Sequence, residues 1–207
     1  EPFARKDLPE IIKAFESRGI HTRMQTNGFA SEEQIALAVE AGGKDISISL
    51  DSLNPIEQDK INGGFNNSWH KALKTISLFT KYLPSKGSFA SLGCVLQPHN
   101  LGDIEDVIKF GSAISWHTSL VPVHVSSYAN PKGFRTFDRN LKFKKNEIYK
   151  VEILLKKVRA MRDAGYLLYD SDQYLDDIFR FIKDENSITW RKKNNNVCDS
   201  PNLYFAL

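Results

Sequence analysis

The sequence predicts an α/β protein built on a parallel sheet. Short apolar runs alternate along the chain with stretches of helical periodicity. Each apolar run ends in a cluster of small polar residues. Helix start and stop signals then separate one run from the next. The clearest unit is 44–52. Ile46, Ile48 and Leu50 fall on one face of a strand, Ser47 and Ser49 on the other, and Asp51 ends the run. Gly42 and Gly43 mark the turn before it, and Asn54-Pro55 opens a helix after it.

Taken in order, Asp7 and Pro9 open a first helix, with Leu8, Ile11, Ile12 and Phe15 as its apolar stripe and Gly19 as its stop. A strand is expected over 20–25, with Thr26, Asn27 and Gly28 as its polar tip. Ser31 and Gln34 have the spacing of a capping box, so a second helix should run to about Ala41. After the 46–50 strand, Pro55 to Ile61 reads as a short helix closed by Gly63-Gly64. Asn67 or Ser68 should open a longer helix that Pro84 and Gly87 end, with Ala72, Leu73, Ile76 and Phe79 inward.

The next strand spans 89–96 and ends in Gln97-Pro98-His99-Asn100. Asn100 or Asp103 should cap a helix reaching about Phe110. A further strand is expected over 118–125, although Pro122 argues for an edge position, and Ser126-Ser127-Tyr128 forms its tip. Helices are expected over 144–164 and 174–183, separated by Gly165. An Asn-rich linker then leads to Cys198 and an apolar stretch at 203–207.

Strands alternating with helices at this spacing imply parallel strands joined by right-handed crossovers. An open doubly wound sheet and a partial barrel both fit. In either, ligands bind at the C-terminal ends of the strands, so the polar tips share one candidate edge.

Composition narrows the function classes. With 41% apolar and 26% charged residues, the chain can bury a core as an ordinary soluble domain. A net charge of +3 is mild, and the Lys142, Lys144 and Lys145 cluster is short, which reads as surface rather than a nucleic-acid footprint. No apolar run approaches a membrane span, and no leader is recognisable. Cys94 and Cys198 are the only cysteines, too few for a disulfide scaffold, so a reducing, cytoplasmic setting is expected. The chain begins without Met at Glu1-Pro2 and stops inside an apolar run, so it is expected to be a piece of a longer protein. There is no phosphate-binding glycine loop, no nucleophile elbow and no zinc motif. The five histidines are scattered; His99 stands out because it lies at a strand tip.

The order of the tips is similar to that of the radical S-adenosylmethionine (SAM) enzymes. Glu1-Pro2 resembles the second half of the Gly-Gly-Glu-Pro motif of that family. A strand ending Thr26-Asn27-Gly28 and one ending Ser49-Leu50-Asp51-Ser52 follow as they do there. The segments 93–101 and 121–125 resemble the family's fifth and sixth strand exits, so the resemblance covers about 1–126. It implies a partial (β/α)6 radical-SAM-type barrel with parallel strands and outer helices over 1–187.

The same resemblance implies reductive cleavage of SAM on a 4Fe–4S cluster and hydrogen abstraction from a peptide, protein or small-molecule substrate, with a reductant such as flavodoxin or ferredoxin. It places Glu1 by the methionyl ammonium, Thr26, Asn27 and Ser49 near the methionyl end or ribose, and Asp51 either on the ribose or ordering the tip. Gln97, His99, Ser126 and Tyr128 would face substrate. The CxxxCxxC loop that holds the cluster is absent from these residues, so this piece alone is expected to be inactive. Residues 188–207 resemble a linker and the start of a SPASM extension, in which Cys198 would ligate an auxiliary iron–sulfur cluster. Two other readings stay open on the residues alone: a metal-dependent hydrolase, aldolase or lyase on another α/β barrel, and a non-catalytic degenerate barrel.

Overall fold

The computed structural model describes residues 1–125 and 138–184. Four strands form one sheet in the order β1-β2-β3-β4: Arg23–Thr26, Asp45–Ser49, Phe89–Leu96 and His117–Pro122. All three pairings are parallel. Helices α1 (Leu8–Glu16), α2 (Glu32–Glu40), α3 (Pro55–Ile61), α4 (Ser68–Tyr82) and α5 (Ile104–Ala113) fill the connections. α6 (Ile148–Asp163) and α7 (Asp172–Lys183) follow β4. This is the α/β architecture expected of a partial barrel.

The strand register sorts the side chains into two faces. Met24 aligns with Ile46, Ile46 with Ala90, and Ile48 with Leu92, and Leu92 aligns with Thr118. This face packs against the helices, and Ile46, Ile48, Leu92, Cys94, Leu96 and Leu120 are all fully buried there. The opposite face carries Gln25, Ser47, Ser49, Ser91, Gly93 and Ser119 in register. It is small and polar, with its hydroxyls aligned from strand to strand. The alternation read at 46–50 is this division between an apolar helix side and a polar inner side.

Local signals act as their chemistry demands. Ser31 Oγ accepts from Gln34 N and Gln34 Oε1 accepts from Ser31 N, closing the capping box of α2. Asn54 Oδ1 accepts from Ile56 N at 3.0 Å, capping α3 behind Pro55. At α4 the cap comes from elsewhere. Asn67 sits at φ +66° with no side-chain cap of its own. The Asp59 carboxylate of α3 instead accepts from Asn67 N, Ser68 Oγ and Trp69 N. These donors hold the Asp59 pKa below the usual carboxylate value, the Ser68 hydroxyl foremost.

Several element boundaries differ from those expected. The first strand begins at Arg23, because Ile20 N turns back to Phe15 O to close α1 and Ile20 stays exposed. Residues 145–147 form a 3-10 turn before α6. β4 ends at Pro122. Its even-numbered amides, Thr118 and Leu120, point away from β3 toward 167–170, while Val123 N bonds Leu96 O on β3. The amide that Pro122 lacks would point to the outer side, so proline ends the strand without breaking the β3 ladder.

A further pairing was not expected from the sequence. Leu168 bridges Thr118 in parallel, with Thr118 N bonded to Leu167 O and Tyr169 N to Thr118 O. The chain therefore returns through α6 to lay a short strand-like segment beside β4, repeating the crossover. Three residues are too few to show a period in sequence.

Candidate functional site

The C-terminal ends of the strands bring the expected tips to one edge. Glu1, ahead of a 3-10 turn over Pro2–Ala4, reaches the end of β1. Its Oε1 accepts from Thr26 Oγ1 at 2.7 Å and from Phe3 N at 3.3 Å, and its Oε2 accepts from Asn27 N at 3.0 Å. Glu1 and the Thr26-Asn27 tip are thus a single hydrogen-bonded unit. Thr26 is 2% exposed and accepts from Gly28 N at 3.1 Å, so its hydroxyl holds the Glu1 carboxylate and the turn together. Asn27 is exposed, and its Oδ1 accepts from Phe29 N at 3.3 Å.

Gly28 is required twice over. Its φ is +93°, and a Cβ there would lie 2.7 Å from Ala72 Cα on α4. Thr75 Oγ1 donates to Gly28 O at 2.7 Å, fastening the same turn to the same helix.

The Ser49-Leu50-Asp51-Ser52 tip divides its labour. Ser49 lies on the polar inner face, half-buried, aligned with Gly93. Its hydroxyl has no hydrogen-bond partner among the described residues. Asp51 is 4% exposed, and its Oδ1 accepts from Val95 N at 2.6 Å. This carboxylate takes a ladder position that a β2 carbonyl would otherwise fill, where the strands begin to splay. This contact ties the tip of β2 to β3. Gln58 Oε1 accepts from Asp51 N and Ser52 N, and Ser52 Oγ donates to Asp103 at 2.6 Å.

Asn100 completes this fastening and was missed as a site residue. Its Nδ2 donates to Asp51 O and Val95 O at 2.9 and 2.8 Å, and its Oδ1 accepts from Gln97 N at 3.0 Å. It ties the tips of β2 and β3 rather than capping α5. Only its position among polar residues at a strand tip could have signalled this. Gln97 is buried at 4% exposure, whereas His99 is exposed. Ser126, Tyr128 and Cys198 lie outside the described residues.

Asp170 repeats the Asp51 arrangement at the other side of the sheet. It is 3% exposed, with Leu120 N donating to Oδ2 at 2.6 Å and Ser119 Oγ to Oδ1 at 2.8 Å. Burial pushes the pKa of both aspartates up to about 6. A raised folded-state pKa favours the protonated form in the fold. The stabilisation is therefore fully present below the ordinary carboxylate value and is lost as pH rises through about 6. Two pKa units are worth about 3 kcal/mol at most. Asp51→Asn keeps an acceptor for Val95 N and removes the charge, so without bound ligand it should stabilise the protein at pH 7.5 by about 1–3 kcal/mol and much less at pH 4. Urea unfolding at both pH values measures this; an equal effect at the two would show that Asp51 ionisation is not what differs.

Cys94 is fully buried, and burial raises its thiol pKa well above the usual value. It packs as a small apolar residue. Among the described residues no group of His, Cys, Asp and Glu side chains is arranged to hold a metal ion, and no helix is long and apolar enough to cross a membrane.

A parallel sheet with outer helices, a polar inner face and a Glu1–Thr26–Asn27 unit at its C-terminal edge defines a class, and comparison identifies it. Residues 1–111, which include β1 to β3, match the model of the radical SAM superfamily, and the chain belongs to that superfamily.

Among curated proteins, the PqqA peptide cyclase of Xanthomonas oryzae pv. oryzae is 26% identical over 129 residues, covering 62% of this chain and 33% of that protein. The probable GTP 3′,8-cyclase of Methanococcus vannielii is 30% identical over 124 residues, covering 59% of this chain and 41% of that protein. The chain spans about a third of the length of the peptide cyclases it matches. In fold it resembles the crystal structure of Streptococcus suis SuiB, with a TM-score of 0.55 at 17% identity over 81% of this chain and 36% of that one. Family membership and these relatives support an enzyme, and the family uses SAM and a 4Fe–4S cluster in general.

Proposed function

We propose that the protein containing this chain is a radical SAM enzyme that modifies a peptide or protein, and that the C-terminal strand edge described above holds its SAM. The observation that carries this reading is the Glu1 unit. Three donors fix the carboxylate in place, yet among the described residues Oε2 accepts only from Asn27 N, which leaves it lone pairs for an ammonium group. Ser49, on the adjacent strand and without a partner among the described residues, supplies a hydroxyl on the inner face. In this reading Thr26 and Asn27 position Glu1, Glu1 binds the methionyl ammonium, and Ser49 faces the same ligand. Asp51 and Asn100 keep the β2 and β3 tips fastened.

A 4Fe–4S cluster, when bound, would supply the one-electron reduction of SAM, with Glu1 and Ser49 holding the SAM at the strand edge. Its thiolates are not in this chain, whose cysteines are Cys94 and Cys198. They belong, on this proposal, to the remainder of the protein, and this piece alone is inactive. Residues 1–187 are the partial barrel and 188–207 lead into a C-terminal extension in which Cys198 ligates an auxiliary cluster. Gln97, His99, Ser126 and Tyr128 belong to the substrate side. A flavodoxin or ferredoxin is the proposed reductant and the cytoplasm the proposed setting, with no nucleic-acid or membrane partner.

The peptide substrate rests on the similarity to the peptide cyclase; the similarity to the GTP cyclase favours a small-molecule substrate instead. The intact protein, purified anaerobically and reconstituted, should bind about four irons per cluster and release 5′-deoxyadenosine from SAM under a strong reductant. Iron loading without nucleoside release would overturn the reading. Nucleoside release stimulated by GTP and not by peptides would move the substrate to the small-molecule class.

A further inference from the structure

The Lys142, Lys144 and Lys145 cluster does not lie on a plain surface. It lines a cavity of about 470 Å³ with His99 and Pro98 from the β3 tip and Phe143 from the segment entering α6. That volume is in the range of sites that take a small ligand or a few side chains. The cavity opens at the C-terminal edge of the sheet, because 97–100 follow β3 and the N-terminus of α6 follows the β4 connection. It therefore flanks the edge assigned above to SAM.

Its chemistry is directional. Phe143 is 7% exposed and with Pro98 provides an apolar wall. Among the described residues, Lys142, Lys144 and Lys145 line the cavity together with the carboxylate of Glu147. Glu147 Oε2 is already engaged by Lys144 N at 2.9 Å. Neither Lys144 nor Lys145 forms an ion pair among the described residues. The exposed Asn140 adds an amide able to donate and accept at once. Ammonium groups beside an amide and an apolar wall suit a carboxylate side chain on a peptide backbone. They suit nucleic acid less well, because the lysines converge on one concavity instead of tracking a line of phosphates.

We infer that this cavity is a docking subsite for an acidic residue of the peptide substrate, formed by Lys142, Lys144 and Lys145 with His99 and Asn140. It deepens the peptide-modifying reading and rests on it. The subsite would hold the substrate by a glutamate or aspartate while another part of the peptide enters the inner face of the sheet.

The test uses the intact protein and a fluorescein-labelled peptide of alternating glutamate and glycine, with a glutamine–glycine peptide as the neutral control. Anisotropy at low salt should show tighter binding of the acidic peptide. Lys144→Glu with Lys145→Glu should weaken that binding by about tenfold or more, and Lys144→Arg with Lys145→Arg should keep it within about twofold. Lys13→Glu with Lys74→Glu, on exposed positions of α1 and α4, changes net charge equally and should leave binding within about twofold. Circular dichroism confirms that each variant folds. Equal binding of the two peptides, no effect of Lys144/Lys145 reversal, an equal effect of Lys13/Lys74 reversal, or a single-stranded oligonucleotide that displaces the peptide and loses its own binding on Lys144/Lys145 reversal would each overturn the subsite. Peptide-independent 5′-deoxyadenosine release, measured alongside, reports separately on the enzyme reading and should be unchanged by the lysine variants.

Discussion

Gly28→Ala is expected to destabilise the protein by about 2–5 kcal/mol, through two separate costs. A left-handed backbone costs a side-chain-bearing residue about 1–2 kcal/mol, and Gly28 has φ +93°. The added methyl would also lie 2.7 Å from Ala72 Cα, so α4 must move, and overpacking of this kind costs about 1–3 kcal/mol. Gly87 separates the two. Its φ is +75°, but a Cβ there meets nothing within 4 Å. Gly87→Ala should cost about 1–2 kcal/mol, the backbone share alone. Denaturant midpoints of both variants measure the difference. If Gly28→Ala costs no more than Gly87→Ala, the close approach to α4 is not what glycine serves there. The displacement should also reach the site, because the Gly28 turn carries Asn27 and Thr26, which hold Glu1.

Glu1→Gln should weaken SAM binding by the intact protein by about tenfold to a hundredfold, while the fold persists. A charge-assisted hydrogen bond is worth about 1.5–3 kcal/mol, which converts to that range. The amide keeps one oxygen for Thr26 Oγ1 and Phe3 N, but its NH2 would then face Asn27 N, setting donor against donor. Glu1→Asp retains the charge on a shorter stem and should recover part of the binding if charge is the main requirement. Equilibrium binding of SAM by calorimetry reads both variants. Unchanged affinity in Glu1→Gln would remove Glu1 from the ammonium site. Thr26→Val should act in the same direction but more weakly, because Asn27 N and Phe3 N still hold the carboxylate.

Much of this architecture was legible because its signals are local. Apolar alternation at 46–50 and the apolar run at 89–96 specified strands, and Ser31, Asn54 and Gly19 marked helix ends through bonds spanning a few residues. The polar tips were visible because each follows an apolar run directly. Their shared edge followed from the parallel crossovers, which leave all strand C-termini on one side.

What each tip residue does was not legible, because it depends on partners far along the chain. Ser49 looked like a ligand-facing residue, and Asp51 like either a ribose contact or a group ordering the tip. Packing sent Asp51 to Val95 N, 44 residues away, and left Ser49 on the inner face. Thr26 reads as a binding hydroxyl in sequence, and in the structure its Oγ1 donates to Glu1, 25 residues away. The α4 cap came from Asp59 rather than Asn67, and Asn100 proved to be a tie between strands rather than a cap. The sequence by itself determined the order of strands and helices and the edge at which the polar tips gather, since propensity, periodicity and chain direction act over short spans. Only the tertiary structure decided which polar groups are spent on holding that edge and which stay uncommitted among the described residues. A hydrogen-bonding group can be committed once, and the competing partner is chosen by folding.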